Sequence, residues 1–244
     1  MNIDNTKLYD AHTHLKTEKE IEDYFSSNIM GVASVGTALE YKMLSEIKNE
    51  NLLISTGVHP WTANNDELLK LMPFMKISKI IGEIGLDNEW TDNDIKNQIS
   101  VFKKQLEYAQ KNNKPVILHT KGMEKEVLDI IKNYDNKYLI HWYSTEKYVQ
   151  NYIDRGYYFT IGPSVLWDDN VINLAKKVPI DRVLVETDGI DAVKWAYDNY
   201  CDSKDITYRK TLINSINKIS KIKNISAELL AKIIETNFKR FFEV

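Results

Sequence analysis

The sequence contains a single cysteine, Cys201, among 244 residues. One cysteine excludes a framework of internal disulfides and a cysteine-rich zinc site, and it suits a reducing compartment. No reactive-thiol pattern surrounds Cys201, so we expect an ordinary loop residue. Glycine and proline are also few, at nine and five residues. Because no segment rich in proline, glycine or serine divides the chain, we predict one domain over residues 1–244.

Long apolar segments and a surplus of positive charge are missing as well. The longest hydrophobic runs are about as long as a strand, well below the roughly 20 residues that a membrane-spanning helix needs. The amino-terminal segment lacks a basic stretch followed by an apolar one, so we expect no export signal and a cytoplasmic protein without membrane contact. The formal net charge is −3. Composition therefore indicates no general affinity for nucleic acid.

Short β-branched segments alternate with amphipathic ones along the chain. The strand candidates are LYDAHTH (8–14), MGVASVG (30–36), LLISTGVH (52–59), KIIGEIGLD (79–87), PVILHTKG (115–122), KYLIHWYS (137–144), YYFTIGPS (157–164) and RVLVETDG (182–189). Helical patterns lie between them, for example at 94–113 and 124–134. Strands that alternate with helices predict parallel βαβ units, and eight units in about 250 residues favour an α/β fold of the (β/α)8 TIM barrel type.

Two further features bear on this fold. No G-x-G-x-x-G motif follows the first strand candidate, which removes one reason to prefer the alternative, a doubly wound open sheet. A last amphipathic segment, 226–242, opens with Ser226 as a candidate N-cap. We expect it to form an additional C-terminal helix that packs on the exterior of the barrel.

All five histidines fall at the carboxyl ends of strand candidates, which is the face where barrel enzymes carry their active sites. They are His12, His14, His59, His119 and His141. A single histidine on an apolar strand is more often structural, but five at one face favour a metal site. His12 and His14 are two residues apart on a strand, so their side chains share a face and can bind one ion together.

Carboxylates accompany these histidines. Glu83 lies in an otherwise apolar strand, where an unpaired charge is costly to bury and a cation would remove that cost. Asp188 follows the eighth strand candidate. Three further carboxylates share the orientation of these donors: Asp10, Asp87 and Glu186. We expect them to orient the metal ligands by hydrogen bonding. For Asp10 and Glu186 the alternative is a purely local pairing. Imidazole and carboxylate donors of this kind suit two divalent cations roughly 3.5 to 4 Å apart.

Six motifs occur in order along nearly the whole chain: DAHTH (10–14), GVHP (57–60), GEIGLD (82–87), VILHTK (116–121), HWYS (141–144) and ETD (186–188). In this order they resemble the TatD family of metal-dependent hydrolases, within the amidohydrolase superfamily. The resemblance implies a dinuclear metal site that hydrolyses phosphodiesters, most typically in a deoxyribonuclease. The metal ligands that it implies are His12, His14, Glu83, His119, His141 and Asp188.

Substrate contacts are expected around the same strand ends. The family pattern gives His59 no ligand role, and we expect it to touch a substrate phosphate. Lys121 stands where the family commonly has arginine, so it keeps the charge and loses the bidentate grip on phosphate. Four aromatic residues could stack on splayed bases or could instead cap the core: Trp90, Trp142, Tyr143 and Trp167.

The expected reaction is in-line attack on phosphorus by a hydroxide that bridges the metals, with Asp188 taking a proton from water and Glu83 holding the ions. The ions could be Zn, Mn, Mg, Ni or Co, and the expected substrate is DNA, single-stranded or at its ends. The segment 140–166 resembles a branch of the family found in bacterial anti-phage operons, which implies defence-operon protein partners. The alternatives are hydrolysis of a small-molecule amide, lactone or phosphoester by the same metals, and a non-catalytic subunit that binds nucleic acid.

Overall fold

The structure is a computed structural model that describes residues 3–200 and 206–244. The chain forms two compact units, and neither is a continuous segment. The first unit comprises Met1–Ala33, Asn51–Leu53 and Trp142–Val244, and the second comprises Ser34–Glu50 and Ile54–His141. The single domain over 1–244 stays a prediction. Cys201, expected to be an ordinary loop residue, lies outside the described residues.

Within the described residues, eight strands alternate with helices. The strands are β1 (Leu8–Thr13), β2 (Ile29–Val35), β3 (Leu52–Thr56), β4 (Ile80–Gly85), β5 (Val116–His119), β6 (Tyr138–Ile140), β7 (Tyr158–Ile161) and β8 (Val183–Val185). The helices are α1 (Glu18–Phe25), α2 (Ala38–Ser45), α3 (Asn65–Ile77), α4 (Ile95–Lys111), α5 (Glu124–Ile131), α6 (Val149–Asp154), α7 (Asp169–Lys177), α8 (Ile190–Asp198), α9 (Tyr208–Lys223) and α10 (Ala227–Phe242). Among these helices none is both long enough and apolar enough to cross a bilayer.

All eight strands belong to one sheet, in chain order from β1 to β8. The pairings of β1 with β2, of β4 with β3 and β5, of β5 with β6 and of β7 with β8 are parallel. The first and last strands, β1 and β8, contact each other. Parallel strands that follow chain order and return to the first strand define the (β/α)8 barrel. The predicted fold is therefore confirmed, and each predicted strand segment contains or overlaps one strand.

In the first unit, the two last helices cover β1 and β8. The predicted C-terminal helix is confirmed as α10, and the Ser226 hydroxyl accepts the Leu229 N–H at 3.2 Å as its N-cap. Its apolar stripe, which includes Phe238 and Phe241, is buried, and the helix contacts both strands. Helix α9 precedes it and also contacts both strands, so two helices follow the eighth strand–helix unit.

In the second unit, α4 packs against β4 through residues on one face. Val101, Phe102 and Leu106 are almost fully buried, as the spacing of an amphipathic helix requires. Two glutamines, Gln98 and Gln105, share this buried face and are each 1% exposed. Since buried amides are normally hydrogen-bonded, their partners lie close by, in the loops that follow β3 and β4.

Candidate metal centre

In the first unit, one carboxylate meets two histidines. Asp188 Oδ1 lies 3.2 Å from His12 Nε2 and 3.5 Å from His14 Nε2. The two imidazole rings are nearly perpendicular, with centroids 4.9 Å apart. The Asp188 N–H donates to the His12 carbonyl at 3.0 Å, so the loop after β8 is joined to β1 where the histidines emerge. Three of the predicted ligands are therefore in mutual contact.

Asp10 lies one step deeper on β1 and is fully buried. Its Oδ1 accepts the Thr187 N–H at 3.0 Å and its Oδ2 accepts the Thr187 hydroxyl at 2.6 Å. Burial raises the pKa of Asp10 to about 7, although both bonds from Thr187 lower it. These bonds fix the residue that precedes Asp188. The predicted support of an imidazole by Asp10 stays a prediction.

Glu186 is also fully buried, two residues before Asp188. Its Oε1 accepts the backbone N–H of Trp142 at 2.9 Å, and the Thr160 hydroxyl lies 3.1 Å from the same nitrogen. The carboxylate therefore holds the backbone just after β6, next to His141 in the chain. Its predicted support of the ligands stays a prediction.

In the second unit, one carboxylate oxygen faces three imidazoles. Glu83 Oε1 lies 2.6 Å from His119 Nδ1, 3.2 Å from His141 Nε2 and 3.4 Å from His59 Nε2. Glu83 is only 4% exposed. The ligand atoms of His59, Glu83 and His119 all lie within 4.8 Å of one another, which is close enough for a single ion. The buried Glu83 carboxylate is therefore paired with imidazoles that the neighbouring strands and loops supply.

Asp87 holds His119 from the opposite side. Its Oδ2 lies 2.8 Å from His119 Nε2 and accepts the Trp61 indole N–H at 2.7 Å. Its Oδ1 accepts the backbone N–H groups of Glu89 and Trp90, both at 2.8 Å. Burial alone would raise the pKa of Asp87, but the hydrogen bonds from His119, Trp61 and Trp90 outweigh it and lower the pKa.

The two carboxylates set the protonation of His119. Burial alone would lower the pKa of His119, but its hydrogen bonds with Asp87 and Glu83 raise it. The Nε2 atom lies against Asp87 and the Nδ1 atom lies against Glu83. A histidine that donates one ring N–H to a carboxylate and directs the other nitrogen into a site has the arrangement typical of a metal ligand.

His59 differs from the other histidines in its hydrogen bonds. Its Nδ1 accepts the backbone N–H of Trp61 at 3.2 Å. A neutral imidazole has one protonated nitrogen, so the proton resides on Nε2, which faces Glu83. A protonated nitrogen donates and does not bind a cation. This geometry favours the expected role of His59 as a donor to substrate and not as a ligand.

Asp87→Asn is expected to weaken metal binding by about 10- to 100-fold, the usual cost of changing a residue that orients a ligand. The amide removes the charge that holds the His119 Nε2 proton and the Trp61 N–H. Metal titration of the purified variant measures the effect, with circular dichroism to verify folding. Asp129→Asn is the matched control, because the pKa of Asp129 is also lowered, to about 2, by the exposed Lys125 and Lys132. Equal metal affinity in the two variants would refute the role of Asp87.

Two of the predicted substrate-binding residues lie in the core. Trp142 and Tyr143 are 6% and 2% exposed. The Trp142 indole donates to the Ser164 hydroxyl at 3.0 Å, and the Tyr143 hydroxyl donates to the Lys147 carbonyl. Buried rings with bonded polar atoms favour the alternative that both residues cap the core, and their contact with substrate stays a prediction.

The other predicted substrate contacts lie in different surroundings. Trp90 is 56% exposed in the loop after β4. Trp167 is partly buried, and its indole donates to the Ala196 carbonyl at 2.8 Å. Lys121 is partly exposed in the loop after β5. Stacking by Trp90 and phosphate binding by Lys121 stay predictions.

Three residues were not predicted from the sequence although they shape the group around Glu83, which we call the second-unit site. The indole N–H of Trp61 donates to the same Asp87 oxygen that contacts His119. Gln105 binds both the N–H and the carbonyl of Val58, at 2.7 and 3.1 Å, and Gln98 binds both backbone groups of Asp87 at 2.9 Å. The one signal for the glutamines was their spacing, seven residues apart on the apolar face of one helix. Trp61 gave no signal beyond its place two residues after His59.

Comparisons with known proteins bear on the fold and on the activity. A family model described as TatD related DNase matches residues 9–243. An uncharacterized metal-dependent hydrolase of Buchnera aphidicola is 28% identical over 97% of this chain and 96% of its own length. A mouse protein named as a candidate deoxyribonuclease is 24% identical over 96% of this chain and 88% of its own. The crystal structure of a TatD homologue from Escherichia coli superposes with a TM-score of 0.83 at 18% identity, over 98% of both chains.

The comparisons test some of the predictions and leave others untested. The solved structure shows the fold, and the relative from Buchnera aphidicola is a metal-dependent hydrolase by name. None of them addresses the branch found in anti-phage operons or its defence-operon partners. Both stay predictions.

Proposed function

Since the chain belongs to the family of TatD related DNases, whose model covers residues 9–243, we propose that this metal-dependent hydrolase cleaves phosphodiester bonds in DNA. One observation carries the proposal: a buried carboxylate oxygen, Glu83 Oε1, faces nitrogens of three histidines within 3.4 Å. Carboxylate oxygen and imidazole nitrogen are donors that divalent metal ions prefer, so such a cluster suits a cation well.

The donor chemistry fits divalent cations. Each unit contributes a carboxylate whose oxygen lies within 3.5 Å of imidazole nitrogens. Mixed nitrogen and oxygen donors suit Zn, Mn, Ni, Co and, less well, Mg. We assign two ions to the six predicted ligands: His12, His14, Glu83, His119, His141 and Asp188. Bound ions would activate water and neutralise phosphate charge, which lets a chain of net charge −3 act on DNA.

The chain's own residues then have separate tasks. His59 directs its Nε2–H towards the cluster, where it can donate to a phosphate oxygen. Asp188, 21% exposed beside two histidines, accepts a proton from the attacking water. Lys121 adds positive charge for the phosphate. Asp87 holds His119 in a fixed orientation throughout.

The test is cleavage of end-labelled single- and double-stranded DNA, beside a panel of small esters, after the bound metals have been counted. We expect DNA cleavage that a chelator abolishes and added divalent metal restores, because the ions would both activate water and neutralise phosphate charge. His12→Ala is the control for contaminating nucleases and should be inactive. Ester turnover with intact DNA would favour a small-molecule hydrolase. DNA binding without cleavage by the metal-loaded protein would favour the non-catalytic subunit.

A further inference from the structure

Trp61 is a large aromatic residue that is 49% exposed beside the second-unit site. Its indole N–H donates to Asp87 Oδ2, the same oxygen that contacts His119 Nε2. Its ring meets the His59 ring at 87°, with centroids 5.0 Å apart. One edge of the indole is thus fixed inside the site while about half of its surface faces solvent.

The backbone that carries Trp61 is held on several sides. Trp61 lies in a single 3-10 turn, Pro60–Thr62, in which proline fixes one backbone angle. The Asn93 amide donates to the carbonyls of Pro60 and Ala63 at 2.7 and 3.1 Å. Gln98 in turn donates to the Asn93 carbonyl at 2.9 Å. An exposed aromatic ring on such a rigid turn loses little conformational entropy when a ligand covers it.

We propose that Trp61 binds a nucleobase of the substrate by stacking, next to the phosphate that His59 contacts. The inference rests on the proposed action on DNA and adds the site of base recognition. The ring centroid lies 5.0 Å from that of His59, so a base one sugar away from the bound phosphate reaches the indole. Every base has a π-face, and stacking on tryptophan therefore gives affinity with little sequence preference.

Besides stacking, Trp61 can influence the site through its hydrogen bond to Asp87, and two substitutions separate these effects. Trp61→Ala removes both the ring and the N–H donor. Trp61→Phe keeps a smaller aromatic face and removes the donor to Asp87. Stacking therefore depends on the ring, whereas any influence on His119 depends on the N–H group.

The experiment compares two oligonucleotides, one with all its bases and one with tetrahydrofuran abasic residues near the cleaved end. Because the phosphates are the same, the ratio of the two KM values isolates base binding. We expect the unmodified protein to favour the base-bearing strand. Trp61→Ala should raise KM for that strand by about 5- to 150-fold, the range of one stacked base. On the abasic strand it should change KM no more than Trp61→Phe does, because both variants lose the donor to Asp87. Trp61→Phe should keep most of the preference.

Fluorescence anisotropy on the metal-loaded protein, with labelled strands whose linkages near the cleaved end are slowly hydrolysed phosphorothioates, gives the same comparison with little turnover. Tyr200→Ala, which removes an aromatic ring of similar exposure after α8, should keep the preference. Cleavage without base preference, or a preference that Trp61→Ala retains, would overturn the inference and leave the proposed function intact. Trp61-dependent binding of the base-bearing strand without cleavage would support the inference and overturn the proposed function. Failure to bind and to cleave either strand would overturn both.

Discussion

Glu83→Gln is expected to abolish metal binding and hydrolysis together. Its Oε1 is the atom on which His59, His119 and His141 converge. The amide has nearly the same shape but lacks the negative charge that balances a cation. Activity should fall by more than about 100-fold, because even a residue that only orients a ligand contributes 10- to 100-fold.

Rate constants for cleavage and the metal content of the purified variant measure this effect. Bound metal should raise the melting temperature of the unmodified protein, since a ligand that binds only the folded state stabilises it. That rise should disappear in Glu83→Gln. Glu67→Gln is the control, because Glu67 forms a surface pair with Lys70 at 2.7 Å. A Glu83→Gln variant that keeps its metal and its activity would contradict the proposed role.

Gly85→Ala is expected to destabilise the fold by more than about 4 kcal/mol, a loss that few single substitutions cause. Gly85 ends β4 with φ +155° and pairs with His119 on β5. A Cβ atom there would lie 1.9 Å from the His119 carbonyl oxygen and 2.8 Å from its carbonyl carbon. Since those atoms are backbone, no rotation of a side chain can relieve the contact, and the two strands would have to separate.

Gly156→Ala provides the matched comparison in urea unfolding. Gly156 also has a positive φ, +73°, but among the described residues no atom lies within 4 Å of the position that its Cβ atom would take. Alanine there should lower the free energy of unfolding only by the penalty for a side chain in the left-handed conformation, about 1 to 2 kcal/mol. Equal losses in the two variants would show that backbone conformation, and not the contact with β5, makes Gly85 necessary.

The strands and the histidines were predictable because their signals are local. A short β-branched segment followed by a turn marks a strand wherever it pairs, and histidines at the ends of such segments share a face in any parallel barrel. Glu83 was predictable because a charge in an apolar strand needs a partner. The partners that Asp87 has in Trp61, Glu89, Trp90 and His119 were not predictable, since they come from the loop conformation around it.

The aromatic residues show where sequence patterns fail. Trp142, directly after His141, adopts φ +35° and turns its ring into the core against Val193 and Ala196. Trp61, two residues after His59, has its ring half in solvent. Both follow a strand-end histidine in the sequence. Only the backbone conformation after the strand decides whether such a ring is buried or exposed, and composition does not encode it.

The paired glutamines of α4 have a consequence for how this protein can change over time. The side-chain amide of Gln105 accepts the backbone N–H of Val58, next to His59, and donates to the Val58 carbonyl. The side-chain amide of Gln98 makes the same two bonds to Asp87. Leucine at position 105 would leave two backbone groups without these partners, and leucine at position 98 would leave three, because Gln98 also donates to the Asn93 carbonyl. Helix α4 thus fixes the loops that follow β3 and β4, although its own residues need not contact the substrate. Outward-facing side chains on these loops can therefore be exchanged without disturbing the backbone groups that the two glutamines hold.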